Sequence, residues 1–210
     1  MHPYLKNTQH ALETLFKGIF HEEQELARLR LQLERSSGEA QALTRSAEEF
    51  NRYTDPSDDD EGVGQLRSFE AWEARTGATQ SSRGVEELSR SIADKEVAKV
   101  ALCGSLLQIA KMGITDRTGT KPNVPVVSKP GRVIDDLPLE EIIWGARNQS
   151  MHHEEAPKSA ITKKVFNTLF SKYGPRYDAS QGKDLAREIV DLLGWTSIEK
   201  FYADMETILP

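Results

Sequence analysis

The chain has 210 residues, which is long enough to bury a hydrophobic core without disulfides or metals. Hydrophobic residues make up 38% of it and charged residues 29%, and the mean hydropathy is -0.55. These values fit long exposed helices and exclude a wholly disordered chain. The net charge of -6 gives no global attraction to nucleic acid or an anionic membrane, so binding to nucleic acid requires a local basic patch. With one cysteine and no apolar N-terminal run, we expect a cytoplasmic protein with no disulfide and no membrane contact.

The first fifty residues predict one long helix, because their apolar residues recur at alternating intervals of three and four. The seam consists of Leu12, Leu15, Ile19, Leu26, Leu29, Leu33, Ala40, Leu43, Ala47 and Phe50. Its weakest point is Ser36-Ser37-Gly38, since glycine costs about 1 kcal/mol in a helix interior. We expect this helix to occupy 1–53, to pack inside a bundle and to end at the acidic stretch 54–62.

A second long helix is predicted over 85–112. It follows a short amphipathic segment over 65–75 and a separator over 76–84 that is rich in glycine, threonine and serine. Gly113 is placed to end the helix in a left-handed conformation. Residues 114–136 then predict a long loop with room for a short ribbon.

Four shorter helices are predicted in the C-terminal half, over 138–155, 159–172, 181–193 and 197–208. Pro157 ends the first, Ser180 caps the third, and Thr196 with Glu199 forms a capping box for the fourth. No alternating strand pattern of useful length occurs. The predicted fold is therefore all-α, a helical bundle built on two long antiparallel helices with shorter C-terminal helices.

The first of these four helices carries the candidate active-site residues Arg147, Asn148 and His152. Asn148 and His152 are one turn apart, so we expect the Asn148 amide to orient the His152 ring. Arg147 and His152 diverge by about 140°, so either the long arginine side chain wraps around the helix or a second copy of the helix supplies the missing group in one cleft. His153 is the alternative imidazole, and Glu155 is an alternative partner for the His152 ring.

Arginine and histidine together suit the cleavage of a phosphodiester. Guanidinium holds the non-bridging oxygens of phosphate, and an imidazole that titrates near neutrality transfers protons. RNA carries its own nucleophile, the 2′-hydroxyl, so we expect neither a metal nor a cofactor. Metal binding by the run from His152 to Glu155 is disfavoured, because consecutive helical residues splay around the axis.

The sequence Arg147-Asn148-x-x-x-His152, after an apolar helical run in an all-α chain, resembles the signature of the HEPN superfamily, an arginine followed by a histidine after four to six residues. The resemblance covers roughly 85–172 and, less specifically, the long N-terminal helix. We expect one HEPN-like domain over 1–210, with an acidic loop and connector over 54–84, the motif in a core over 85–172 and C-terminal helices over 175–210. The resemblance also implies a dimeric, metal-independent endoribonuclease that leaves a 2′,3′-cyclic phosphate.

Members of this superfamily are commonly toxins of toxin-antitoxin pairs or effectors of antiviral defence. The resemblance therefore implies RNA as substrate, a homodimer, and an antitoxin or other regulatory partner. Some related toxins are modified on a tyrosine two residues after the histidine, and Glu154 stands at that position here. The alternative is a non-catalytic HEPN-fold module for dimerisation or nucleotide binding, and a coiled-coil adaptor that uses the N-terminal seam is a third reading.

Basic residues bracket the motif. We expect Lys158, Lys163, Lys164 and Arg132 to bind RNA phosphates, because few acids lie near them in the sequence. A solvated basic face is the alternative interpretation.

Overall fold

The computed structural model describes residues 1–53, 61–118 and 130–209. The helices are α1 (Pro3–Tyr53), α2 (Glu61–Thr118), α3 (Leu139–Met151), α4 (Ala160–Tyr173), α5 (Ala186–Leu193) and α6 (Ile198–Ile208), with strands β1 (Val133–Ile134) and β2 (Leu137–Pro138) and a 3₁₀ turn over Gly174–Tyr177. The predicted all-α fold, with two long packed helices and shorter C-terminal helices, is confirmed. The described residues form two compact units: unit 1 is Met1–Glu22 with Val97–Pro210, and unit 2 is Glu23–Glu96.

In unit 2, one segment of α1 packs against one segment of α2. The pairing buries small and branched side chains: Leu26, Leu29, Ala40, Ala47 and Ala71. An ion pair at 2.5 Å joins Arg30 Nη2 to Glu96 Oε1. Both helices run without interruption here, through Ser36-Ser37-Gly38 and through the predicted separator 76–84.

The predicted break in the helix over 76–84 was therefore wrong, and so was the predicted start of the second long helix at residue 85. Hydroxyl groups explain how this polar sequence remains helical. The side chains of Thr76, Thr79 and Ser82 each donate a hydrogen bond of 2.8–2.9 Å to the carbonyl four residues earlier. This bonding satisfies the hydroxyls within the helix, so they do not compete with its backbone hydrogen bonds.

Unit 1 contains the main core, and eight of the 13 residues of α3 are buried. Gly113 lies inside α2 and does not end it. A Cβ at Gly113 would stand 2.8 Å from Tyr4 Cε1, closer than real Cβ contacts allow, and 3.1 Å from Leu209 Cδ1, a tight contact. The glycine therefore permits close packing at this point, and α2 continues to Thr118.

A two-residue hairpin precedes α3. Ile134 pairs with Leu137 in antiparallel register, and the turn residues Asp135 and Asp136 have φ of 53° and 66°. The Asp135 carboxylate accepts hydrogen bonds from Tyr173 Oη at 2.5 Å and Lys172 Nζ at 3.1 Å, which tie the turn to α4. The predicted loop over 114–136 began too early, because α2 runs to Thr118, and residues 119–129 of that loop lie outside the described residues.

Two of the C-terminal helices differ from their predicted bounds. α3 ends at Met151 and not at Glu155, so His152 is its C-terminal cap. α5 begins at Ala186 and not at residue 181, because the preceding residues form a turn in which Ser180 Oγ donates to Asp178 Oδ1 at 2.6 Å.

The N-caps of α4 and α6 differ: the first forms a side-chain cap hydrogen bond and the second does not. The Ser159 side chain accepts from the Thr162 amide at 3.1 Å and caps α4. Ser197, not Thr196, is the N-cap residue of α6, and the Thr196 hydroxyl instead accepts a hydrogen bond from Lys200 Nζ. The predicted capping box of Thr196 and Glu199 was therefore wrong, and Ser197 forms no side-chain cap hydrogen bond in its place.

One segment, Ser68–Asp116 within α2, contains an 18-residue stretch of mean hydropathy 1.4 with at most two charged residues. By length and composition alone this stretch is long and apolar enough to cross a membrane, contrary to the expectation from the sequence. In the structure 39% of it is buried, and its buried residues include Leu106, Leu107 and Ala110 of the unit 1 core. Core helices of soluble proteins meet the same criterion.

Candidate functional site

The predicted site residues lie at the C-terminal end of α3, within unit 1. The apolar residues Ile142, Ile143 and Ala146 are fully buried and fix the helix in the core. Arg147 and Asn148 follow directly and are half-buried. The burial of one face of α3 therefore places these two polar side chains at the border of the core.

Two hydrogen bonds connect this end of α3 to α2. Arg147 Nε donates to Gln108 Oε1, and Lys111 Nζ donates to Asn148 Oδ1 at 2.9 Å. Gln108 and Lys111 are three residues apart on α2, so both project from the same face of that helix. The two bonds lie side by side, and we call these four residues the polar ladder.

Lys111 is the most perturbed cation of the ladder. Its ammonium lies 4.4 Å from the centroid of the Trp144 ring, one turn before Asn148, in a cation-π contact. Burial, and secondarily the positive charge of Arg147, lower the pKa of Lys111 from 10.5 to about 8. At neutral pH the ladder therefore holds two close positive charges, at a cost in solvation.

The hydrogen-bond partners of these two cations are neutral. Arg147 bonds to an amide oxygen, and Lys111 bonds to an amide oxygen and contacts an aromatic ring. Within the described ranges neither side chain forms an ion pair with a carboxylate. The ladder thus holds both cations in place without cancelling their charge.

His152 follows α3 as its C-terminal cap, with φ of -134° and ψ of 31°. Its side chain is exposed and, with Asn148, lines a pocket of about 460 Å³. The pocket is completed by Gln149, Glu155, Ala156, Pro157, Lys158, Ser159 and Thr162. An imidazole at this position is open to a ligand from solvent.

The expected hydrogen bond between Asn148 and His152 is not among those that the described residues form. The Asn148 carbonyl oxygen is used by Lys111, and His152 has left the helix, so helical geometry no longer stacks the two side chains. Asn148 and His152 both line the pocket. Among the residues that the structure describes, the His152 ring forms no side-chain hydrogen bond.

The alternative residues His153 and Glu155 are both engaged nearby. His153 Nδ1 lies 2.9 Å from the Ser150 carbonyl oxygen, a contact that requires a proton on Nδ1 and holds the ring on α3. The Glu155 carboxylate accepts a hydrogen bond from Lys158, which is the main cause of its lowered pKa; the charge of His152 lowers it slightly further. Glu155 and His152 are thus close enough to interact electrostatically.

Two residues within the motif, Gln149 and Ser150, anchor this end of α3. Buried Gln149 donates through Nε2 to the Lys183 carbonyl at 2.6 Å, and its Oε1 accepts from the Leu185 amide at 3.0 Å. Ser150 Oγ donates to Asp184 Oδ2 at 2.9 Å. These bonds fix the helix end from which Arg147, Asn148 and His152 project.

Three of the four predicted RNA-binding cations are paired with acids. Arg132 forms two hydrogen bonds to the Asp204 carboxylate, at 2.7 and 2.9 Å, and a third to the Leu193 carbonyl at 2.6 Å. Lys158 pairs with Glu155, and Lys164 pairs with Glu141 at 2.5 Å.

Lys163 differs from those three. It is exposed, it forms no ion pair within the described residues, and it lines a second pocket of about 460 Å³ with Phe166, Phe170 and Tyr177. Pro157 contributes to both pockets, so Lys163 lies on the wall of a cavity that adjoins the one at His152.

The histidine and carboxylate side chains around the motif do not converge. Within 1–53, 61–118 and 130–209, no three histidine, cysteine, aspartate or glutamate residues are grouped so that they could hold a metal ion. The turn after α3 spreads the residues from His152 to Glu155, and two of them have other partners.

Sequence reasoning missed the contribution of α2 to this site. Gln108 and Lys111 interrupt an apolar seam that includes Leu107, Ala110 and Ile114. Two polar residues one turn apart beside such a seam indicate polar partners on the facing element. That signal was available, but only the structure identifies the partners as Arg147 and Asn148.

No protein-family profile matches the chain, and neither a curated protein nor a solved structure is significantly similar to it. The functional argument therefore rests on the motif, on the helical fold and on the geometry of the ladder and the pocket.

Proposed function

We propose that the chain is a metal-independent endoribonuclease of the HEPN type. One observation carries the proposal: the arginine and the histidine of the motif lie at the same end of α3, the arginine without a carboxylate partner among the described residues and the histidine on a solvent-accessible pocket. A structural arginine would normally have its charge neutralised, and a structural histidine would be buried or hydrogen-bonded.

The reaction needs only a phosphate clamp and a proton carrier. His152 accepts the proton of the 2′-hydroxyl, and the 2′-oxygen forms a bond to the adjacent phosphorus. Arg147 stabilises the negative charge on the non-bridging oxygens. The bond from phosphorus to the 5′-oxygen breaks, that oxygen takes up a proton from a second imidazole, and the products are a 2′,3′-cyclic phosphate and a 5′-hydroxyl.

A second copy of the chain supplies the second imidazole in this proposal. An in-line displacement needs a proton acceptor and a proton donor on opposite sides of the phosphorus, and one His152 cannot occupy both sides. Arg147 also lies on the α2 side of α3, and it does not line the pocket of His152. A two-fold dimer with the C-terminal ends of α3 facing each other would combine both groups in one cleft.

The biological role proposed from the resemblance is a cytoplasmic toxin or an antiviral defence effector. An uncontrolled ribonuclease damages its own cell, so this role requires an antitoxin or another regulatory partner. Because Glu154 replaces the tyrosine modified in some related toxins, such a partner would act by a different chemistry.

The proposal is tested by incubating the purified chain with transfer, messenger and ribosomal RNA, with and without excess chelator. We expect cleavage in both conditions and a dimer in light scattering at micromolar concentration. Cleavage that requires magnesium or manganese would contradict the metal-independent mechanism. RNA binding without cleavage would favour a non-catalytic HEPN-fold module.

A further inference from the structure

We propose that Lys111 and Arg147 together form the binding site for one phosphate group of the RNA backbone, which makes Lys111 an additional substrate-binding residue. The site deepens the proposed function and rests on it for the identification of the anion as RNA phosphate. Lys111 lies on α2, 37 residues before Asn148, and is therefore outside the Arg147-to-His152 motif.

The first argument is the local charge balance. Two half-buried cations are close enough for the charge of Arg147 to lower the pKa of Lys111, and no carboxylate of the described residues is paired with either. Elsewhere in unit 1, Arg132, Lys164 and Lys172 all have carboxylate partners. Holding two like charges together is unfavourable unless an anion binds between them.

The second argument is the number of unused donors. Arg147 donates to Gln108 through Nε, and within the described residues its two terminal amino groups have no hydrogen-bond acceptor. The Lys111 ammonium donates one of its three protons to Asn148. The pair therefore retains several charged donors, enough for the non-bridging oxygens of a phosphate.

The third argument concerns the partners that hold the cations. Gln108 and Asn148 offer neutral amide oxygens, which orient the two side chains and leave their charges intact. The Trp144 ring also holds the Lys111 ammonium, through a cation-π contact at 4.4 Å. Such a preorganised site binds an anion with little loss of side-chain entropy.

Asn148 connects this phosphate site to the pocket of His152. Its carbonyl oxygen accepts from Lys111, and its side chain also lines that pocket. A backbone phosphate held by Lys111 and Arg147 would place the adjoining nucleotide next to Asn148. The ladder therefore positions the RNA strand along the end of α3.

The test measures phosphate binding without any cleavage. The melting temperature of the wild-type protein is recorded in increasing inorganic phosphate at pH 7, with sodium chloride at equal ionic strength as the reference. The same titration is made with Lys111→Met, which retains an apolar stem over Trp144, and with Arg147→Met. Lys164→Met is the matched control, because it removes the same charge from an exposed pair with Glu141.

We expect phosphate to stabilise the wild type and the Lys164→Met variant. Lys111→Met and Arg147→Met should each weaken phosphate binding by at least about tenfold, the effect of losing one charged hydrogen bond. Lys111→Arg should retain binding because it retains the charge. If Lys111→Met does not fold, Lys111→Gln, which keeps a donor for Asn148, should show the same loss.

Two results would overturn the proposal: a wild-type protein that phosphate does not stabilise beyond chloride, or a Lys111→Met variant that binds phosphate as the wild type does. Failure of the proposed function has a different signature. If the chain binds phosphate through Lys111 and Arg147 but leaves RNA intact, the phosphate site is confirmed and the assignment as a nuclease is wrong.

Discussion

Two groups of cations in unit 1 have opposite surroundings. In the polar ladder, Lys111 and Arg147 bind neutral amide oxygens and keep their charges. Around α4 and the C-terminal helices, Arg132, Lys164 and Lys172 are each paired with a carboxylate. The difference shows that positive charge counted along the sequence is a poor guide to positive charge available to a ligand.

The reason is that acids distant in sequence meet these cations in space. Arg132 and Asp204 are 72 residues apart, Lys172 and Asp135 are 37 apart, and both pairs form when the short helices pack. The fold therefore neutralises most of the basic residues that have few acids near them in the sequence. The ladder remains charged because Arg147 and Asn148 on α3 face an amide and a second cation on α2.

The largest effect is expected at the two motif residues. Arg147→Ala and His152→Ala should each lower RNA cleavage by at least about a hundredfold, the scale of a lost transition-state donor or a lost general acid-base group. His153→Ala should cost less, because its ring is held against the Ser150 carbonyl. Helical circular dichroism and melting temperature should be unchanged in all three variants. Unfolding of His152→Ala would instead show that this histidine is structural.

Substitutions that break the ion pairs of the paired cations should lower the stability of the protein and leave RNA cleavage unchanged. Asp204→Ala removes the partner of Arg132 and leaves the buried Trp195 Nε1 without its acceptor, which lies at 2.8 Å. We expect a loss of about 1–3 kcal/mol in the free energy of unfolding, measured by denaturant titration. Asp204→Asn, which keeps an acceptor for the indole, should lose less. A cleavage defect in folded Asp204→Ala protein would mean that Arg132 belongs to the RNA site.

The lowered pKa of Lys111 predicts a pH signature for the ladder. The folded pKa is about 8 and the ordinary value is 10.5, so between these values the unfolded chain binds more protons than the folded chain. The free energy of unfolding should therefore rise with pH through this window, while phosphate affinity falls as Lys111 loses its charge.

Lys111→Met provides the control for that signature. Unfolding of both proteins is compared from pH 7 to pH 9.5, and the variant should lack the additional rise of the wild type. Tyr4, whose pKa burial raises to about 12, is present in both proteins and cancels in the difference. Identical pH profiles would show that the Lys111 ammonium is not desolvated.

The smallest expected effect is a difference in RNA binding between variants of two neighbouring lysines of α4, Lys163 and Lys164. Lys163 has no carboxylate partner among the described residues, whereas Lys164 pairs with Glu141. In a His152→Ala background that prevents cleavage, Lys163→Met should reduce the salt dependence of binding to single-stranded RNA by about 0.7 in log-log slope, one phosphate contact. Lys164→Met should change it less, as judged by fluorescence anisotropy at several salt concentrations. Equal changes in slope for the two variants would show that Lys164 contacts RNA despite its ion pair with Glu141.

The sequence was most informative where apolar periodicity is strong. Leu12, Ile19, Leu26 and Leu29 are all buried, as the seam of the first helix predicts. Local propensity misled at Gly113 and at the separator 76–84. At Gly113 the packing against Tyr4 and Leu209 requires a glycine inside a helix, and in the separator the hydroxyl groups bond to their own helix.

The candidate site was predictable only in part. The motif brought Arg147, Asn148 and His152 to one end of one helix, but the pattern did not show that the helix ends at Met151. That end changes the geometry, because His152 leaves the face of Asn148. The hydrogen-bond partner of Asn148 is Lys111 and not the His152 ring, and no local pattern encodes a contact across 37 residues.

The proposed nuclease is tested most directly by the chemistry of the cleaved end. One RNA oligonucleotide is incubated in chelator with the wild type and with His152→Ala, and the 5′ fragment is analysed by mass spectrometry. We predict a 2′,3′-cyclic phosphate with the wild type, almost none with His152→Ala, and no cleavage when the nucleotide at the cleavage site lacks its 2′-hydroxyl. A 5′ fragment that ends in a 3′-hydroxyl together with a 5′-phosphate on the other fragment, cleavage of the 2′-deoxy substrate, or intact RNA in the wild-type reaction would contradict the account.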